Sequence, residues 1–219
     1  MSMNTPSRSV LVEAAVDTFD AAVRAQNTPT QRIELCGPLT DGGTTPSAGL
    51  IARCSEMLLT SVNVLIRPRV GNFVYSDDEI EIMKKDIVVA KELGVDGFAF
   101  GVLTPDGDVD VQKMAELIHV ATPLRVVFHR AFDQVRDQDE ALELLVSLQV
   151  NGLLTSGAAK TATEGTERIR QLVERAEQRI RVIAAGSITG TDVRALVANT
   201  GVTAVHGRAF EGIANALNA

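Results

Sequence analysis

Two cysteines, Cys36 and Cys54, are all that this 219-residue chain contains, and they stand far apart. That excludes a disulfide framework and a metal knuckle, and it points to a reducing cytoplasm. There is no Cys-x-x-Cys, and only Met1 and Met3 stand near each other, so the clustered thiolates and thioethers that soft metals favour are missing. No apolar run approaches the length of a membrane span, and the opening MSMNTPSRSV carries no apolar signal core. Positive charge is not in excess: 21 Lys and Arg face 28 Asp and Glu, a formal net charge of −7. Neither nucleic acid nor an anionic membrane surface is therefore an expected partner. Linkers and low-complexity segments are also lacking, so residues 1–219 are expected to form one soluble cytoplasmic domain.

What the chain does have is a regular alternation of short apolar runs and helical patterns. The runs predict strands near 10–16, 32–36, 61–67, 97–103, 125–130, 152–156, 181–185 and 203–206. Several are almost continuously apolar, as strands buried on both faces should be. Between them lie helix signals. Thr45-Pro46-Ser47 places a capping threonine before a proline, and Ser76-Asp77-Asp78-Glu79 reads as a capping box followed by Ile80, Met83, Ile87 and Ala90 at helical spacing. Gly94 then closes that helix. Eight strand–helix units predict an α/β fold, a (β/α)8 TIM-type barrel, with a doubly wound sheet as the alternative. Only Ala209 to Ala219 follow the last strand, so the final helix is expected to be short or incomplete.

Strand ends concentrate the polar residues, and in a parallel barrel those ends form the site. The segment RVVFHRAFD (125–133) is the richest, ending in His129, Arg130 and Asp133. In RIELC (32–36) the two-residue period puts Ile33 and Leu35 outward against helices and Glu34 and Cys36 inward. Arg67 and Arg69 share a face, and an inward Arg67 beside Glu34 on the neighbouring strand would neutralise both charges. That pair serves either as a structural plug or as part of a ligand site. Arg130 and Asp133 pair across the start of the fifth helix or contribute to the same site. Cys54 belongs to an apolar helix face outside the barrel, with the sheet separating it from Cys36, and His119 is an ordinary helix residue.

Small-residue turns follow the last three strands: Thr155-Ser156-Gly157, then Gly186-Ser187, then His206-Gly207-Arg208. Amides at helix starts bind anions, and barrels often hold a phosphate after strands seven and eight. Such turns also simply connect strand to helix. One reading is therefore an enzyme acting on a small phosphorylated or carboxylated molecule. In it Arg67, Thr155, Ser156, Gly186, Ser187 and Arg208 hold the anion, while His129 and Glu34 carry out acid–base chemistry. A regulatory or interaction barrel without catalysis is another.

The combination RIELCGPLTDGGTTPS (32–47), IRPRVGNFVYSDDE (66–79), FHRAFDQ (128–134), LLTSG (153–157), IAAG (183–186) and Val205-His206 resembles the CutC family of copper homeostasis proteins, in the right order and over nearly the whole chain. The resemblance implies a (β/α)8-type barrel, a cytoplasmic location, a homo-oligomer (dimer or tetramer) and copper as the bound ion, with no organic cofactor. Carried over by position, it marks Glu34, Cys36, Arg67, His129, Arg130, Asp133 and His206. Cys36 with His129, and with His206 or Glu34, is then the expected metal set.

Overall fold

In the computed structural model of the chain, residues 10–219 are described; Met1, Met3 and most of the MSMNTPSRSV stretch lie outside them. Eight strands alternate with eight helices: β1 (Leu11–Val16), α1 (Phe19–Gln26), β2 (Arg32–Leu35), α2 (Ala48–Met57), β3 (Ser61–Leu65), α3 (Asp77–Glu92), β4 (Gly97–Phe100), α4 (Val111–Ala121), β5 (Arg125–Phe128), α5 (Gln138–Ser147), β6 (Gly152–Thr155), α6 (Thr166–Ala176), β7 (Arg181–Ala185), α7 (Val193–Thr200), β8 (Ala204–Gly207) and α8 (Phe210–Asn218). All neighbouring strands are parallel and the sheet closes on itself in sequence order. The seam runs from Leu11↔Ala204 to Ala14↔Gly207. The doubly wound alternative is thereby set aside.

The two-residue period of each strand builds two cores. Outward residues such as Val12, Ile33, Leu35, Val64, Phe98, Phe100 and Phe128 pack under the helices. Inward residues Cys36, Leu65, Ala99, Val127, Leu154, Ile183, Ala185 and Ala204 form a smaller core inside the barrel. Cys54 belongs to the outer core and Cys36 to the inner one, so the sheet does separate the two thiols.

Local signals act largely as expected. Ser76 and Glu79 form a reciprocal capping box at the start of α3, and Gly94 follows its end with φ of +83°, a conformation that costs a side-chain-bearing residue energy. The cap of α2 is Ser47, not Thr45. Thr45 is instead drawn to the next strand end, where its Oγ1 accepts from the Arg67 amide. The last helix is short but sufficient: α8 buries Phe210, Ile213 and Ala214 and packs on β1, completing the ring.

Two glycines separate what the backbone demands from what it tolerates. A Cβ on Gly165 would enter the van der Waals radius of the Ser156 carbonyl oxygen, both atoms being held by backbone, whereas one on Gly49 in α2 would meet nothing within 4 Å. Gly165→Ala should lower the unfolding free energy by about 3 kcal/mol. Gly49→Ala should raise it by roughly 0.5–1 kcal/mol through helix propensity. Urea denaturation of both variants checks this; equal effects would contradict the packing described.

Candidate metal centre in the barrel interior

Glu13 sits third in β1, and its inward face carries it into the barrel, where the residue is fully buried. The register pairs it with Arg32 on one side and His206 on the other. Its Oε2 accepts from Arg32 Nε, and its Oε1 lies 2.8 Å from His206 Nδ1. Burial alone would push the Glu13 carboxyl up, but the Arg32 guanidinium and the His206 contact outweigh it and hold the pKa at about 2. Glu13 is thus a carboxylate at any ordinary pH.

Glu34 comes to the same place from β2. Its carboxyl is pushed up by burial and by the like charge of Glu13, partly offset by His206. Oε1 accepts a long contact of 3.6 Å from the Cys36 thiol, and Oε2 has no hydrogen-bond partner although it is buried. Burial and then the Glu34 charge raise the Cys36 thiol well above its usual pKa, so it is protonated. For His206, burial opposes the charge but the carboxylates of Glu34 and Glu13 prevail and raise its pKa.

The ligand atoms of Glu13, Glu34 and His206 lie within 4.8 Å of one another. Both oxygens of Glu13 are already engaged. Its role toward an ion is therefore to bind His206 Nδ1 and turn the opposite ring nitrogen, Nε2, toward any metal, as carboxylates commonly do behind metal-binding imidazoles. The atoms left to coordinate are Nε2 of His206 and the unpartnered oxygen of Glu34; the Cys36 sulfur touches Glu34 but lies outside the 4.8 Å group.

The remaining predicted residues are placed elsewhere. Glu34 and Arg67 do not form an ion pair. The register sets Glu34 opposite Asn63, so Arg67 stands four residues farther up its chain, about 13 Å along an extended strand. Its guanidinium donates instead to the carbonyls of Gly43 and Gly71 at 2.9 Å and of Asp41 at 3.5 Å, and it lies over Phe73. Arg67 is a clamp on the mouth loops. His129, at the end of β5, caps a short 3-10 turn over Arg130–Gln134, its Nδ1 accepting from the Ala131 amide. It is buried beside Phe73 and does not join the Glu13–Glu34–His206 group. Burial and the Arg67 charge push its pKa down to about 3. A neutral imidazole whose Nδ1 is committed to backbone has little to offer as a general base.

Arg130 and Asp133 do pair, at 2.8 Å. Asp133 also accepts from Thr155 Oγ1, from the amides of Ser156 and Ala158 and from Ser156 Oγ, while Arg130 donates to Ser156 Oγ. A protein carboxylate thus occupies the nest of donors that the small-residue turn offers. Gly186 stands close by, its position 3.6 Å from the Arg130 guanidinium carbon if a Cβ were added. Ser187 and Arg208 are exposed. Helix α7 begins only at Val193, its approach tied by Asp192 Oδ1 to the Thr189 amide, so the amides at 186–187 are not its first turn.

The residue that sequence reasoning missed is Glu13, with its partner Arg32. A single carboxylate in the run VLVEAAV was the available signal, since its parity with Leu11 and Ala15 sends it inward.

His129 titrates in a window of its own. Its folded pKa of about 3 lies below the ordinary histidine value of 6.5, so between these pH values the unfolded chain binds the extra proton and stability falls as pH is lowered. His129→Asn keeps a capping oxygen and removes the titration. The gap in unfolding free energy between wild type and His129→Asn should therefore shrink between pH 7.5 and 5, by on the order of 1–2 kcal/mol. Parallel stability curves for the two proteins would contradict a buried neutral His129.

The model of the CutC family matches residues 10–211. The human protein named copper homeostasis protein cutC homolog is 44% identical over 196 residues, covering 90% of this chain and 72% of that protein. A CutC family protein of Bacteroides fragilis is 40% identical over 207 residues, covering 94% and 82%. The crystal structure of CutC from Streptococcus agalactiae superposes with a TM-score of 0.87 at 35% identity, over 91% of this chain and 98% of that one. A solved aldolase shares only the barrel, with a TM-score of 0.73 at 13% identity. On the match across 10–211 and these relatives, the chain belongs to the CutC family.

Proposed function

We propose that the chain serves copper homeostasis, as the names of its relatives say of them, by taking a copper ion inside the barrel. The observation that carries this reading is the convergence of Glu13, Glu34 and His206 within 4.8 Å, with the Glu34 Oε2 buried and unpartnered. His206 Nε2 and Glu34 would hold the ion, with the Cys36 sulfur beside Glu34, and Glu13 would orient the imidazole. An imidazole, a carboxylate and one sulfur suit copper(II) better than copper(I), which prefers several sulfur donors. Arg32 limits the net negative charge of the pocket, because it neutralises Glu13.

The same geometry gives the site a pH dependence. Protons compete with the ion at His206 and Glu34, whose pKa values are raised, and at the Cys36 thiol. Affinity should rise with pH through the neutral range. We further place the protein in the cytoplasm as a homo-oligomer, a dimer or tetramer. Among the described residues no helix is long and apolar enough to cross a membrane. Ile82, Val88 and Val89 of α3 and Val111 of α4 are exposed apolar side chains that a second copy would cover.

Copper(II) and anaerobic copper(I) competition titrations at pH 6.5 and 8 test this. Wild type should bind one equivalent, more tightly at pH 8. His206→Asn and Glu34→Gln should weaken binding by at least the roughly 10- to 100-fold that loss of an outer-shell partner costs, while Cys54→Ser should not. Equal affinity in wild type and His206→Asn would remove the ion from the barrel interior.

A further inference from the structure

Three of the eight strands begin with arginine: Arg32 in β2, Arg125 in β5 and Arg181 in β7. Strand starts lie at the end of the barrel opposite the mouth. All three arginines line a cleft there of about 1100 Å³, whose walls also include Val127, Val150 and Ile180. The cleft is large enough for a small molecule, and its walls are both polar and apolar.

Two of these three charges in the cleft have no carboxylate partner among the described residues, while Arg32 is paired with Glu13. Arg32 is buried; its Nε is bound to Glu13, but its Nη2 has no partner. Arg125 donates through Nη2 to the Ser61 hydroxyl, a neutral acceptor. No carboxylate pairs with Arg181 among the described residues, and it feels the like charges of Arg32 and Arg125. On the rim, Arg179 is neutralised by Glu143, and Glu177 is the acidic side chain that lines the cleft. Arg125 and Arg181 are exposed and have no carboxylate partner among the described residues, and they stand beside a buried guanidinium that keeps one nitrogen unpartnered, an arrangement that favours an oxyanion. Guanidinium forks recognise planar or tetrahedral oxyanions through paired hydrogen bonds.

We propose that this cleft binds a small organic oxyanion, a phosphate or carboxylate on an apolar body, with Arg125 and Arg181 gripping the charged group and Arg32 adding its positive charge from the wall. The apolar body rests against Val127, Val150 and Ile180. The site stands at the other end of the barrel from the mouth and does not depend on the copper reading. It differs from the anion site expected after strands seven and eight, where Asp133 already fills the donors around Arg130 and Ser156.

Calorimetric titration of the full chain with inorganic phosphate, phenyl phosphate and benzoate, at ionic strength fixed with chloride, tests the proposal. Saturable binding is expected, tighter for phenyl phosphate than for inorganic phosphate, and the phenyl phosphate and benzoate arms tell the two oxyanions apart. Arg181→Gln and Arg125→Gln replace exposed side chains and should each weaken binding at least tenfold. In buffer free of oxyanions the double variant should melt no lower than wild type, because a repulsion is removed. Three results would overturn the site: heats no greater than those of chloride alone, binding unchanged in both variants, or binding lost on Arg130→Gln but kept in Arg181→Gln, which would move the anion to the mouth.

Discussion

The barrel is organised around one buried carboxylate. Glu13 of β1 takes Arg32 from β2 on one oxygen and His206 from β8 on the other, so a single side chain ties together the three strands at which the sheet closes. Burying an ion is expensive unless it is paired and hydrogen-bonded, and here each member answers the cost of another. Arg32 needs Glu13, Glu13 needs both neighbours, and His206 is held in one orientation as a result. The free oxygen of Glu34 and the Cys36 thiol complete the cluster from the adjacent inward positions. The site is thus part of the closure of the barrel.

The mouth follows a different logic. Its charged residues are used to hold loops. Arg67 is spent on carbonyls of the loops after β2 and β3, and Asp133 collects the donors of the loop after β6. His129 caps the 3-10 turn that follows β5. These hydrogen bonds hold the loops in place, while Arg67 Nε and His129 Nε2 stay buried without a partner. They also explain how a polar-looking strand end can carry less chemistry than its composition suggests, while the more reactive cluster lies deeper between the strands.

Much of this was readable from the residues. Alternation of apolar runs and helical patterns carried the barrel, and strand parity correctly put Glu34 and Cys36 inside and Cys54 outside. What parity does not carry is register. Pairing Glu34 with Arg67 supposes that residues at equivalent strand ends are level, but the barrel's stagger sets Glu34 against Asn63. Likewise Cys36, His129 and His206 all stand at strand ends, yet His129 belongs to β5, across the barrel from β1, and only His206 joins the buried carboxylates. Glu13 and the arginines at the strand starts were passed over because an apolar run with one charge reads as a strand, and its first residue reads as a boundary. A charge that a buried strand tolerates is itself the signal, since burial without a partner would not be tolerated.

The account is tested most directly by a crystal structure of the copper-soaked protein with anomalous data collected at the copper edge. It predicts one anomalous peak inside the barrel, at coordination distance from His206 Nε2 and Glu34, with Glu13 still bound to Nδ1. A peak on Cys54, on His119 or on the Met1–Met3 segment, with none beside His206, would contradict it.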